Sequence, residues 1–112
     1  MSVELPIAIQ KAFDATNAGD SEAFVAAFAA DGFINDWGRQ LNGSAGIASW
    51  DQSDNIGKQA SWEALSIETH GRGKYLVSIK TGGNGYNGVS PFVFTLAGDA
   101  RDKIQSMVIS AG

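Results

Sequence analysis

The chain has 112 residues, of which 44% are hydrophobic and 18% charged, and it carries a formal net charge of −4 at pH 7. That is the profile of one globular domain, 1–112, long enough to bury a single core. Its eight Lys and Arg residues are scattered rather than gathered into a stripe, which argues against a nucleic-acid partner. Having no cysteine and one histidine, a single chain has no disulfide, thiol nucleophile, or Cys- or His-rich metal site.

The first residues, MSVELPIAI, carry an acid where a signal peptide needs basic residues, and no apolar run has membrane length. The expectation is a soluble cytoplasmic protein with no membrane partner. Residues 5–17 have helical periodicity, with Leu5, Ile9, Ala12, Phe13 and Thr16 on one face and Pro6 in the first turn. Asn17-Ala18-Gly19 ends that helix. Asp20 caps a second helix predicted over 21–30, with Phe24, Ala27 and Phe28 as its buried stripe and Asp31-Gly32 as its stop.

A short strand is predicted over 33–38, placing Ile34 and Asp36 on one face and Phe33, Asn35 and Trp37 on the other. Residues 38–43 read as a turn, and Ser44 as the cap of a third helix over 45–53. Ile47, Trp50, Asp51 and Asp54 run along one side of it, and Asp51 and Asp54 share a face from which they approach Asp36, or else stand as solvated acids. From Ser61 the period becomes two, giving four strands separated by Gly71-Arg72-Gly73, the loop TGGNGYNGVSP and a turn over 97–102. Trp62 belongs to packing, and His70 to an exposed hairpin. Three helices ahead of a four-strand antiparallel run, with one early strand between them, make an α+β fold.

The order of these pieces resembles a known family. A helix ending Asn-Ala-Gly-Asp, a second ending Phe-Ala-Ala-Asp-Gly, a strand carrying Asp36 and Gly43 opening a helix to Trp50 resemble the nuclear transport factor 2-like superfamily, with SnoaL-like and ketosteroid isomerase-like proteins as the nearest relatives. The resemblance spans about residues 5–110. It implies a cone, in which a curved antiparallel or mixed sheet wraps round the three N-terminal helices and a mostly apolar pocket opens between them. It also implies a strand aspartate as catalytic base, matched here by Asp36. The family's helper tyrosine falls at Ala12 and its late-strand acid at about Phe92, so only the base carries over.

Within such a pocket, Phe13, Phe28, Phe92, Phe94 and Trp50 would form apolar walls, and burial would tune Asp36 for general-base work. Arg39, three residues on, is either a bidentate carboxylate binder, Asp36's counter-ion or a solvated turn residue. Trp37 and Trp50 each offer apolar area and one N–H, for a ligand or for packing. The loop Asn84-Gly85-Tyr86-Asn87-Gly88 opens no helix and is not a phosphate loop; Asn84, Tyr86 and Asn87 are its candidate donors at the pocket mouth, or else its asparagines and glycines serve only the turn.

Two functions fit. One is acid/base catalysis, of isomerase, dehydratase or cyclase type, on a small apolar carbonyl or hydroxyl compound without metal or organic cofactor. The other is a non-catalytic binding or dimerisation module for a small apolar or amphipathic molecule. The family also implies a homodimer through the open sheet face, with Tyr75, Val77, Met107 and Ile109 as candidate contacts.

Overall fold

A computed structural model describes residues 3–98 and 100–110. The elements are α1 (Ile7–Ala18), α2 (Ser21–Ala26), β1 (Phe28–Asp36), β2 (Arg39–Asn42), α3 (Gly43–Asp54), a 3-10 turn (Ile56–Lys58), β3 (Ser61–Thr69), β4 (Lys74–Gly82), β5 (Gly88–Ala97) and β6 (Lys103–Ile109). The six strands form one open mixed sheet in the order β2-β1-β6-β5-β4-β3. Only the β1–β6 pair is parallel. The α+β expectation holds, with three helices against one face of the sheet.

α1 ends as predicted, with Gly19 in the left-handed region at φ +71° and the Asp20 N–H bonded to the Ala15 carbonyl. Asn17 does more than stop the helix. Its amide accepts from Trp62 N at 2.8 Å and donates to Trp62 O at 3.0 Å, tying the end of α1 to the start of β3. Asp20 caps α2 through Ala23 N at 3.0 Å.

The second helix is shorter than its sequence suggests. It stops at Ala26, because the Ala27 carbonyl accepts from Ile104 N at 2.9 Å and draws the following residues into the sheet beside β6. Phe28 is therefore a strand residue, and Asp31-Gly32 lies within β1 rather than ending a helix. The register shifts between Phe28 and Phe33, and this irregularity needs Gly32: a Cβ there would stand 3.0 Å from the carbonyl oxygens of both Ala29 and Gln105.

The expected turn over 38–43 is instead strand β2. Asp36 pairs with Arg39, so the connection is only Trp37-Gly38, with φ of +54° and +91°. Positive φ at both central residues is the hairpin geometry that matches strand twist. The Asn35 side chain supports it by accepting from Gly38 N at 2.9 Å. α3 then begins at Gly43 after Asn42, so Ser44 lies inside the helix and is not its cap.

The inner face of the sheet and the three helices share one core. Trp62 is its aromatic hub, with ring centroids 5.2 Å from Phe13, 5.9 Å from Phe24 and 5.4 Å from Phe92. Tyr75, Val77, Met107 and Ile109 also face inward, three of them buried, which corrects their assignment to the open face. The reason is register: Tyr75 pairs with Phe94, Phe94 with Met107, and Phe92 with both Val77 and Ile109, so all follow the buried phenylalanines. Leu65, expected in that alternation, sits where the β3 register shifts and is 45% exposed.

Candidate functional site

A cavity of about 210 Å³ opens at the end of the sheet where α3, the 3-10 turn and the β4–β5 loop meet. Asp36, Ile109 and Phe92 lie in one cross-strand row over β1, β6 and β5, and all three line it. Trp50 and Asp54 of α3, Trp62 of β3, and Ser90 and Tyr86 on the β5 side complete most of the wall. Strands lie about 4.8 Å apart, so Asp36 and the β5 residues face each other over roughly 10 Å of floor.

Asp36 has its side chain 23% exposed. Its Oδ2 accepts from Trp50 Nε1 at 3.0 Å, and Arg39 approaches the same oxygen at 3.9 Å. Arg39 itself is committed to Asp54: its guanidinium donates to Asp54 Oδ2, which also accepts from the Ser53 hydroxyl. The hydrogen bond to Asp54, then that residue's charge, hold the guanidinium above its ordinary pKa, against a small opposing effect of burial and with a weaker upward pull from Asp36. The result is a row of charges, Asp36–Arg39–Asp54, in which the cation leans to one end. The two-residue hairpin sets it up by putting Asp36 and Arg39 opposite each other on the inner side.

Of the residues singled out from the sequence, Asp36, Trp37, Trp50, Asp54 and Phe92 line the cavity. Phe13 and Phe94 do not; they are buried behind it, packed on Trp62 and Phe92. Arg39 also stands outside the lining and acts through its two carboxylates. Asn87 is turned away, its amide donating to the Gly83 and Gly85 carbonyls at 2.9 and 3.1 Å, so it shapes the loop and offers nothing to the cavity. Trp50 is not a free donor for a ligand, because its N–H is spent on Asp36.

Asp51 is not a solvated acid but fully buried. One turn before Asp54 ends the helix, its Oδ1 accepts from Asn55 Nδ2 at 3.0 Å, and the same amide reaches Thr16 Oγ1 at 3.0 Å. This buried link ties α3 to α1, while Asp54, unlike Asp51, faces Arg39.

Tyr86, one of the loop's candidate donors, does line the cavity, and Ser90, Lys58 and Trp62 are lining residues that sequence patterns did not select. The Ser90 hydroxyl donates to the Tyr86 hydroxyl at 3.3 Å, which leaves the Tyr86 proton for another acceptor. Their alternation in a strand and a glycine-rich loop carried no signal of this meeting. Among the described residues no group of three or more His, Cys, Asp or Glu side chains is placed to hold a metal ion, and no helix is long and apolar enough to cross a membrane.

No family model matches the sequence, and no curated protein does. Solved structures do. The chain is similar to a proposed polyketide cyclase from Sinorhizobium meliloti, at 26% identity over 95% of each chain with a TM-score of 0.78. It is similar to a Mycobacterium tuberculosis protein solved with estradiol-17β-hemisuccinate, at 14% identity over 95% of this chain and 92% of that one, TM-score 0.81. It is also similar to a Δ5-3-ketosteroid isomerase from Mycobacterium sp., at 15% identity over 94% and 90%, TM-score 0.77. The three helices and the mixed sheet thus make the fold of the nuclear transport factor 2-like superfamily, as in these polyketide cyclase and ketosteroid isomerase structures.

Proposed function

We propose that the protein is a cofactor-independent acid/base enzyme acting on a small apolar carbonyl or hydroxyl compound, with Asp36 as general base. The observation that carries this reading is the Asp36 carboxylate itself. It lines a cavity that mixes five aromatic side chains with polar ones, with Trp50 fixing Oδ2 and no hydrogen-bond partner on Oδ1 among the described residues. A fixed carboxylate with one free oxygen is suited to removing a proton from carbon or from a hydroxyl. Tyr86, its proton left free by Ser90, supplies the donor for an oxyanion formed on the other side of the substrate.

Size narrows the substrate. A cavity of about 210 Å³ falls below the roughly 300–1,000 Å³ of drug-sized sites. A neighbour of the same fold holds a steroid ester, but this cavity suits one or two rings. The test is hydrogen–deuterium exchange at the α-carbon of small cyclic ketones. Catalysed exchange by wild type that is lost in Asp36→Asn supports the reading, and equal exchange by both proteins removes it.

The 3.9 Å approach of Arg39 to Asp36 favours a second reading, a binding module whose carboxylate is partly neutralised. It predicts ligand-induced thermal stabilisation without any exchange. In either case we infer a homodimer through the outer sheet face, where Leu76, Val93 and Val108 form a half-buried apolar row across three strands. Light scattering on a gel-filtration peak gives a dimer mass if so, and a monomer mass at micromolar concentration if not.

A further inference from the structure

Trp37 is at odds with its own turn. It occupies the first of two positive-φ positions, where Asn, Asp or Gly fit without strain and a bulky side chain does not. Its indole is 64% exposed, yet it lines the cavity and stacks on no other ring among the described residues. Neither packing nor turn chemistry accounts for a tryptophan there, and backbone strain beside a site points to a role in it.

Lys58 lines the same cavity from the 3-10 turn and makes no ion pair among the described residues. Its backbone is anchored, because its carbonyl accepts from Asn84 N at 2.8 Å, and its stem lies close beneath Gly85. It therefore presents one free ammonium from a fixed base. The two lining carboxylates, Asp36 and Asp54, are both within reach of Arg39, so Lys58 remains for a ligand.

From these two features, and resting on the reading of the cavity as a small-molecule site, we propose that the mouth selects a flat one- or two-ring aromatic carboxylate. The ring stacks on Trp37 and the carboxylate pairs with Lys58. A lone lysine brings one positive charge, which a monoanion such as a carboxylate matches one for one. The cavity holds about seven water volumes at roughly 30 Å³ each, which sets the ring count.

The probes are 1-naphthoate and its neutral counterpart 1-naphthamide, with binding followed by calorimetry. Wild type binds naphthoate more tightly than naphthamide. Trp37→Asn weakens both by about tenfold, the value of one aromatic stack, and raises the melting temperature by roughly 2–5 °C through relief of the turn. Lys58→Met weakens naphthoate about fivefold and leaves naphthamide unchanged. A fall in melting temperature for Trp37→Asn makes the indole a packing residue and overturns the proposal. So does naphthamide binding as well as naphthoate, or no naphthoate binding at millimolar concentration. Naphthoate has no acidic C–H, so its binding reads the mouth alone: intact binding without ketone exchange defeats the base reading and leaves this one standing, and the converse defeats this one.

Discussion

Trp50 Nε1 and Asp36 Oδ2 are joined by a 3.0 Å hydrogen bond between α3 and β1. An indole N–H can only donate, so the bond fixes which carboxylate oxygen is engaged. Arg39 approaches that same oxygen. Oδ1 is left as the reactive atom, and the helix–strand contact becomes the positioning device of the site.

Trp50→Phe keeps an aromatic ring against Phe24, which stacks on the indole at 6.0 Å, and removes the N–H together with the second ring. Stability should fall by about 2–4 kcal/mol, from the lost hydrogen bond to a carboxylate and the space left by the smaller ring. Ketone proton exchange should fall by at least about tenfold. Chemical denaturation and exchange kinetics on the same sample separate the two effects; a large stability loss with normal exchange by the folded fraction would make the bond merely structural.

Tyr86→Phe removes the hydroxyl that accepts from Ser90. As an oxyanion donor lost, it should lower exchange by roughly 10²-fold with little change in melting temperature, since Tyr86 is 57% exposed. An unchanged rate takes Tyr86 out of the mechanism.

The Arg39–Asp54 pair has a definite pH signature. A guanidinium whose folded-state pKa is raised contributes stability at every pH below its ordinary range, and loses it only as pH climbs through the folded value. Wild type should therefore show no loss from this pair up to about pH 12. Arg39→Lys should begin to lose it once pH passes about 10.4, the ordinary value for lysine. The melting-temperature gap between the two proteins should widen from pH 8 to pH 11, by a small amount because the pair is exposed. A constant gap would show that the pair carries no stability.

Trp62→Ala should cost about 3–5 kcal/mol, because it removes the ring shared by Phe13, Phe24 and Phe92. Asn17→Ala, which frees the Trp62 backbone amide and carbonyl, should cost about 1–3 kcal/mol. Urea denaturation measures both, and an Asn17→Ala protein as stable as wild type would mean that α1 docks on β3 without the tether.

How much of this was legible in the sequence follows from how local each signal is. α1, its Gly19 terminus and the Asp20 cap are written in neighbouring residues, as is the alternation of β4 to β6. The end of α2 is not, because FVAAFAA is locally helical and only the distant Ile104 N–H pulls Ala27 toward the sheet. The hairpin at Trp37-Gly38 was hidden because tryptophan is the wrong residue for its first position, and that same mismatch marks its role at the mouth. Asp36 was found through its place in the motif order. Its partners are not legible: the sequence leaves Trp50 between ligand and packing, and Arg39 between carboxylate binder, counter-ion and solvated turn residue, whereas packing of α3 on β1 gives Asp36 the indole and gives Arg39 mainly to Asp54. Asp51 and Asp54 look alike in sequence, and only the docking of α3 on α1 buries one and leaves the other at the cavity.

The most direct test of Asp36 as a base is the rate of α-deuterium incorporation into cyclohexanone, a ring small enough for the cavity, followed by NMR in deuterated buffer near neutral pD. Wild type should exceed buffer, and Asp36→Asn, with its fold verified by circular dichroism, should lose at least about a hundredfold of that catalysis. Exchange by Asp36→Asn at the wild-type rate, or none above buffer in wild type, would contradict the role given to Asp36.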